Sequence, residues 1–195
     1  MILSNAEIHA ALDSGRLIID PEPAPRAPSL SEPNCPFGTS AVDLRLSAEL
    51  QIPKTKKPFS FDLRQGGLAK FLAETYKTTT IDPDGDFTLK PNTFVLGRTI
   101  ERVALPLAST GSSLAARVEG KSSFARCGLI VHFTAPTIHA GFDGTITLEM
   151  INLGTYPIVL YEGVPICQLI VEQVLGDPIP NPSQFHGQIH PSGTP

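Results

Sequence analysis

Turn residues divide the second half of the chain into short segments. Glycine-containing turn signals recur at intervals of about ten residues, in GFDG (141–144), NLG (152–154) and YEG (161–163). The segments between them are too short for long helices and carry the alternating apolar residues of half-buried strands. This spacing is typical of antiparallel sheet proteins, so we predict an all-β barrel or sandwich with minor helices.

The composition indicates one domain and argues against several classes of partner. The 195 residues are 41% hydrophobic, which is enough for one sizeable core, so we predict a single domain over residues 1–195. A net charge of −4 gives no overall attraction to nucleic acid or to an anionic membrane, and we expect neither partner. No apolar run approaches the roughly 18 residues that cross a membrane, and the N-terminus lacks the basic region of a signal peptide.

The cysteines predict a reduced, cytoplasmic protein. Cys35, Cys127 and Cys167 are odd in number and widely spaced, which disfavours a disulfide framework. No two of them form a C-x-x-C pair, so the sequence offers no cysteine-based zinc site.

The first half of the chain combines short regular elements with irregular segments. Ser4 and Glu7 form a capping box, which predicts a helix over residues 5–14. The proline-rich stretch 21–36 is predicted to be a surface loop. Alternation over residues 40–50 predicts a half-buried strand whose apolar side is Val42, Leu44 and Leu46. A second short helix is predicted over 68–76 and a turn at DPDG, 82–85.

The predicted strand 144–152 carries an acidic residue in apolar surroundings. Its alternation places Ile146, Leu148 and Met150 on one face and Glu149 on the other, beside Thr145, Thr147 and Ile151. One interpretation of Glu149 is a charge on an edge strand that faces water. The other is a desolvated general base, which needs a partner such as Lys121 or Arg126 to stabilise its charge.

Residues 120–126 gather groups that bind anions. Lys121 and Arg126 supply positive charge, while Ser122 and Ser123 supply hydroxyls beside a flexible glycine. Such groups can hold phosphate oxygens together with backbone N–H groups. The spacing is not that of a P-loop, and the same residues are also compatible with a solvated turn.

Residues 118–171 resemble the dCTP deaminase branch of the dUTPase superfamily. That pattern has a basic residue, Ser-Ser, two residues and Arg, then Gly-Leu, Thr-Ala, Ile-Asp-x-Gly-Phe-x-Gly, Leu-Glu and Gln-Leu. The matching residues here are Lys121, Ser122, Ser123, Arg126, Gly128, Leu129, Thr134, Ala135, Ile138, Gly141, Phe142, Gly144, Leu148, Glu149, Gln168 and Leu169. Outside this core, LSNAEIHAALDSGRLIIDP and GTSAVDLRL also resemble the opening segments of the family.

The resemblance implies a fold, an assembly and a reaction. The fold would be a distorted, jelly-roll-like β-barrel of the dUTPase type, assembled as a homotrimer with nucleotide sites between subunits. The reaction would be zinc-independent hydrolysis of dCTP to dUTP and ammonia, supplying dUTP for thymidylate synthesis. Mg²⁺ would bind with the nucleotide triphosphate, and dTTP is a possible inhibitor. The zinc deaminase signature, H-x-E with P-C-x-x-C, is missing from the sequence.

The same resemblance assigns roles to individual residues. Glu149 would be the general base, Ser122 and the carbonyl of Ala135 would position the attacking water, and Arg126 would support the charged network. The nucleotide would contact Lys121, Ser122, Ser123, Arg126, Thr134, His139, Thr147, Leu148, Glu149, Gln168 and Gln188. No residue is predicted to be a protein-bound metal ligand.

Three departures from the family pattern affect the prediction. His139 replaces an aspartate and is a poor water-activating group, which favours deamination over dUTP hydrolysis. Lys121 replaces the usual arginine. The tail 178–195 resembles a C-terminal lid and is expected to be mobile, but Gln184 and Phe185 stand where the family has Lys and Tyr. The alternatives are a dUTP diphosphatase, a bifunctional enzyme, or a non-catalytic trimer that binds pyrimidine nucleotides.

Overall fold

The computed structural model describes residues 1–30, 33–54, 62, 64, 68–82, 85–108, 111–181 and 187–191. In these residues the chain forms twelve strands and three short helices. The helices are α1 (Asn5–Asp13), α2 (Leu68–Thr75) and α3 (Ser122–Ala125). The strands are β1 (Ile18–Asp20), β2 (Val42–Arg45), β3 (Glu49–Pro53), β4 (Tyr76–Thr80), β5 (Phe87–Leu89), β6 (Phe94–Ala104), β7 (Leu114–Gly120), β8 (Leu129–Ile130), β9 (Thr137–Ile138), β10 (Asp143–Asn152), β11 (Ile158–Leu160) and β12 (Pro165–Gln173).

The strands form three antiparallel sheets. The largest has the order β4-β3-β6-β10-β8, with β1 also paired to β6. A four-stranded sheet has the order β2-β12-β7-β9, and β11 pairs with β5. The prediction of an all-β protein with minor helices is confirmed. Within the described ranges the sheets stay separate, and none closes on itself to complete a barrel.

The core is formed by the apolar residues of both larger sheets and α1. Leu44 of β2, Leu148 of β10 and Leu169 of β12 are all fully buried, and burying one such side chain stabilises the fold by about 1.5–3 kcal/mol. The apolar side predicted for residues 40–50 is confirmed, because Val42, Leu44 and Leu46 have no exposed surface.

Residues 40–50 nevertheless do not form one strand. The chain leaves the four-stranded sheet after Arg45 and enters the six-stranded sheet at Glu49. The corner is held by Glu101, whose buried carboxylate accepts hydrogen bonds from the Arg45 backbone N–H (2.9 Å) and from its Nε (2.6 Å). Both sheets therefore depend on this ion pair at their junction.

The predicted local elements of the first half are otherwise present. Ser4 Oγ accepts the backbone N–H of Glu7 at 3.3 Å and caps α1, and α2 covers most of the predicted 68–76 helix. The described residues of the proline-rich stretch 21–36 contain no helix or strand. At the predicted turn, Gly85 donates a backbone hydrogen bond to Asp82 (2.9 Å), while Pro83 and Asp84 lie outside the described residues.

The described part of the C-terminal tail lies against the main sheet. Gly187 donates to the carbonyl of Asp143 (2.8 Å), and Thr145 donates to the carbonyl of Gln188 (3.0 Å). Residues 187–191 therefore pack along the first half of β10. The lid residues Gln184 and Phe185 lie outside the described residues.

Candidate active site

Glu149 lies in the middle of β10 and is only partly accessible. Its strand neighbours Leu148 and Met150 are fully buried, while the Glu149 side chain is 32% exposed. The predicted alternation is therefore present, with Glu149 on the outer face of the sheet. An accessible carboxylate on a rigid strand has the position that a general base requires.

A histidine supplies the charge partner of Glu149 within the chain. His132 Nδ1 lies 2.6 Å from Oε2 of Glu149, and the His132 side chain is only 10% exposed. The Phe133 backbone N–H approaches the same oxygen at 3.5 Å. The adjacent Glu149 carboxylate raises the pKa of His132, against the opposing effect of burial, and the Ala135 carbonyl raises it further. The pair thus favours an imidazolium beside a carboxylate.

The hydroxyl groups of Ser122 and Ser123 lie on the surface in α3, and Arg126 follows at its C-terminal end. Backbone hydrogen bonds from Phe124 and Ala125 to the Lys121 carbonyl, 3.0 and 2.9 Å long, hold this single helical turn. Ser122, Ser123 and Arg126 are exposed, and among the described residues their side chains have no hydrogen-bond or ion-pair partner. These three groups are available to an external anion.

Lys121, in contrast, already has a partner. Its ammonium group contacts the carboxylate of Asp43 on β2, and Gln168 Nε2 donates to the other Asp43 oxygen at 3.1 Å. The sheet register places Gln168 directly opposite Asp43. Because Asp43 balances the charge of Lys121, the unpaired positive charge among residues 121–126 belongs to Arg126.

The sequence alone predicts no functional role for Asp43. The residue was placed in a half-buried strand, and its partner Lys121 lies 78 residues further along the chain. The only signal was an acidic residue inside a strand whose neighbours are apolar. That signal points to a paired carboxylate but does not identify the partner.

Thr134, Ala135 and His139 lie in the connections around β9, and all three are exposed. The Ala135 backbone contributes to the raised pKa of His132. His139 follows β9, and its carbonyl accepts the Phe142 N–H at 3.1 Å. The ring of His139 is therefore accessible at the edge of the four-stranded sheet.

The remaining predicted nucleotide contacts lie on β10 and the tail. Leu148 is fully buried, so only its backbone is available to a ligand. Thr147 Oγ1 donates to the carbonyl of Pro191 at 3.4 Å. Gln188 is 7% exposed, and its Nε2 donates to the Thr145 carbonyl at 2.8 Å. In this arrangement the Gln188 amide is occupied by its own chain.

One copy of the chain does not unite the predicted site. In the part of the chain that the structure describes, Glu149 has contacts with His132 and Phe133 but no hydrogen bond or ion pair with Ser122, Ser123 or Arg126. The expected partners of Glu149 were Lys121 and Arg126. The structure instead places Lys121 beside Asp43 and leaves Arg126 exposed.

The described residues contain neither a metal-binding cluster nor a membrane-spanning helix. Nowhere among them do three His, Cys, Asp or Glu side chains come close enough to hold a metal ion. No helix in the same ranges is long and apolar enough to span a membrane.

The chain is similar to known deaminases along most of its length. A model of the dCTP deaminase-like family matches residues 2–174. A Thermobifida fusca protein named "dCTP deaminase, dUMP-forming" is 37% identical, with 98% of this chain and 91% of the relative aligned. A Haloarcula marismortui protein named "dCTP deaminase" is 36% identical, with 100% of this chain and 94% of the relative aligned.

A solved structure shows the same fold. The crystal structure of 2'-deoxycytidine 5'-triphosphate deaminase from Agrobacterium tumefaciens superposes with a TM-score of 0.59 at 19% sequence identity. The match covers 87% of this chain and 47% of that longer chain.

Proposed function

The chain belongs to the dCTP deaminase-like family, and we propose that it hydrolyses dCTP to dUTP and ammonia. The observation that carries this proposal is the placement of Glu149, a partly accessible carboxylate on β10 beside the His132 imidazole. The names of the relatives from Thermobifida fusca and Haloarcula marismortui support dCTP as the substrate.

The reaction requires one water and one general base. Glu149 accepts a proton from water while the water oxygen attacks C4 of the cytosine ring. The carboxyl group then delivers that proton to N3. Transfer of the second water proton to the amino group lets ammonia leave as the C4 carbonyl forms. General acid–base catalysis of this kind contributes about 10²–10⁴ to the rate, and positioning of the water contributes further.

Other residues position the water and the nucleotide. Ser122 and the Ala135 carbonyl hold the water in this proposal, and the exposed position of both residues is compatible with it. Arg126, Ser122 and Ser123 meet the triphosphate, because their side chains have no partner among the described residues. Mg²⁺ arrives with the triphosphate. Lys121 and Gln168 support this region through Asp43.

The base and sugar lie along β10 and the loop before it. The Thr147 side chain and the backbone of Leu148 contact the cytosine ring next to Glu149, and Thr134 and His139 border the nucleotide from the connections before and after β9. A neutral imidazole at His139 hydrogen-bonds a sugar hydroxyl without serving as a strong water-activating group. An analogous pyrimidine triphosphate, dTTP, would occupy the same site as an inhibitor.

The complete site in this proposal lies between subunits of a homotrimer. One subunit supplies Glu149, and a neighbour supplies Ser122 and Arg126, which explains why one chain does not bring them together. Exposed apolar side chains on and around β11 support a subunit interface. They are Leu153, Tyr156, Val159 and Tyr161. The three cysteines are free, which supports a reducing, cytoplasmic location.

A product analysis tests the function. Purified protein is incubated with dCTP and Mg²⁺, and the nucleotides are separated by anion-exchange chromatography, with dUTP as a parallel substrate. We expect dUTP and ammonia in equal amounts and no change in the dUTP control. Accumulation of dUMP would instead indicate the activity named for the Thermobifida fusca relative. Nucleotide binding without any product would indicate the non-catalytic alternative.

A further inference from the structure

Residues 187–191, here called the C-terminal strap, cross the six-stranded sheet beside Glu149, the proposed general base. Backbone hydrogen bonds join Gly187 to Asp143 (2.8 Å) and Thr145 to Gln188 (3.0 Å). The Gln188 side chain adds a 2.8 Å bond from Nε2 to the Thr145 carbonyl. The strap is thus hydrogen-bonded to the first half of β10.

The strap fits closely against this strand. A Cβ atom added at Gly144 would lie 2.8 Å from the Gln188 carbonyl oxygen and 3.2 Å from its backbone nitrogen. Both atoms belong to the strap backbone, so they yield less easily than the end of a side chain. The absence of a side chain at Gly144 therefore allows the strap to pack at this distance.

His190 anchors the other end of the strap two strands away. Its Nδ1 lies 3.1 and 3.3 Å from the two carboxylate oxygens of Glu49 on β3. Arg98 of β6 donates from Nε to the same carboxylate at 3.3 Å. Glu49 is 18% exposed, so its pairing with two basic groups is partly shielded from solvent.

The contact between His190 and Glu49 lies on the same face of the six-stranded sheet as Glu149. The register pairs Arg98 with Thr147 and Leu96 with Glu149, and Gln51 of β3 with Leu96. Residues directly opposite each other project to the same face, so the Arg98–Thr147 row lies two residues, roughly 7 Å, from the Glu149 row. Thr147 also contacts the strap through the Pro191 carbonyl at 3.4 Å.

The contact between His190 and Glu49 also borders a cavity on this face. His190 and Glu49 line a cavity of about 350 Å³ whose other walls are Gln51 and Thr78 of the sheet, Tyr76, and Leu72 and Ala73 of α2. The strap thus supplies one wall of an open groove over β3 and β4, on the sheet face that also carries Glu149.

We propose that Glu49 and His190 are positioning residues for nucleotide binding. Their contact fixes the strap across β3, β6 and β10 and so builds the wall of the site beside Thr147 and Glu149. The inference rests on the proposed function and adds the Glu49–His190 contact as the interaction that positions the strap. Neither residue touches the reacting atoms, so loss of the contact affects binding of dCTP and not the chemical step.

Steady-state kinetics of single and double variants test whether the Glu49–His190 contact affects dCTP binding. Glu49→Gln and His190→Ala should each raise the KM for dCTP about two- to fivefold, the size expected for a contact between partly exposed polar side chains, with kcat changed less than about twofold. The double variant should match Glu49→Gln, because the His190 contact is already lost once the Glu49 carboxylate is gone. Glu22→Gln, which removes the contact with Arg26 in the proline-rich loop, is the matched control and should leave both constants unchanged.

Hydrogen exchange separates this inference from the proposed activity. In the Glu49→Gln and His190→Ala variants, the Thr145 and Gly187 amides should exchange faster than in the wild type or in Glu22→Gln. Unchanged exchange would overturn the anchor even if the wild type does not deaminate dCTP. Faster exchange with an unchanged KM, or with an unchanged dCTP Kd in an inactive protein, would overturn the positioning role. KM effects that multiply in the double variant would also overturn it.

Discussion

His132 Nδ1 lies 2.6 Å from Oε2 of Glu149, so the proposed base faces an imidazole from a neighbouring segment of its own chain. The contact joins the segment that follows β8 to the middle of β10. It provides the nearby positive charge that a partly buried carboxylate needs. Ala135, whose backbone also raises the pKa of His132, is the residue proposed to hold the water. The three groups thus link the proposed base to the proposed water site.

The His132–Glu149 pair predicts how stability changes with pH. Because the folded state raises the pKa of His132, the pair stabilises the fold fully below the unfolded histidine pKa of about 6.5. This contribution disappears as the pH rises through the raised pKa of the folded state. We expect His132→Gln to lower the free energy of unfolding by about 1–3 kcal/mol at pH 5.5 and by less at pH 9.

Urea unfolding of both proteins across this pH range measures the difference. His139→Gln is the matched control, because His139 is exposed and has no described side-chain bond. A stability difference between wild type and His132→Gln that stays constant or grows with pH would contradict the charged pair.

A shared site predicts complementation between inactive variants. Glu149→Gln and Arg126→Ala should each be inactive alone, because each removes one half of every site. After joint refolding, random assembly leaves both native residues at roughly a quarter of the sites, so about a quarter of wild-type activity should return. Each variant refolded alone provides the control, and a mixture that stays inactive would show that one chain supplies the whole site.

Replacing Gly128 with alanine should strongly reduce the stability of the fold. The residue has φ +92, and an added Cβ would lie 2.2 Å from the Gly154 nitrogen, where Leu153 also donates to the Gly128 carbonyl at 2.8 Å. Gly128→Ala should therefore lower the free energy of unfolding by more than about 2 kcal/mol.

Gly163→Ala is the comparison for Gly128→Ala. It also has a positive φ, +79, but no atom lies within 4 Å of an added Cβ. Its cost should be about 1 kcal/mol, measured by the same denaturant titration. Equal costs at the two positions would contradict the steric explanation.

Local sequence signals predicted the elements that depend on nearby residues. The cap of α1 at Ser4, the helix α2 and the outward face of Glu149 all follow from spacings of two to four residues. The break between β2 and β3 does not, because it depends on Glu101, which lies 56 residues from Arg45. Long-range pairing of this kind is specified by the fold and leaves no local pattern.

The candidate site shows the same division. The sequence predicted roles for Glu149, Ser122 and Arg126 through the resemblance to a family, but it predicted no role for the carboxylate of Asp43. Lys121 approaches Asp43, and Gln188 approaches Thr145, only after distant strands pair. Local patterns identified residue types suited to catalysis, whereas the fold determined their partners.

The most direct test of the proposed mechanism is the rate of dCTP turnover by Glu149→Gln. Glutamine keeps the size of the side chain but cannot accept the water proton, so we expect kcat to fall by at least about 10²–10⁴. Binding of dCTP, measured by titration, should stay within a few-fold of the wild type, and the exposed Glu162→Gln variant should be fully active. Turnover by Glu149→Gln near the wild-type rate would contradict the assignment of Glu149 as the general base.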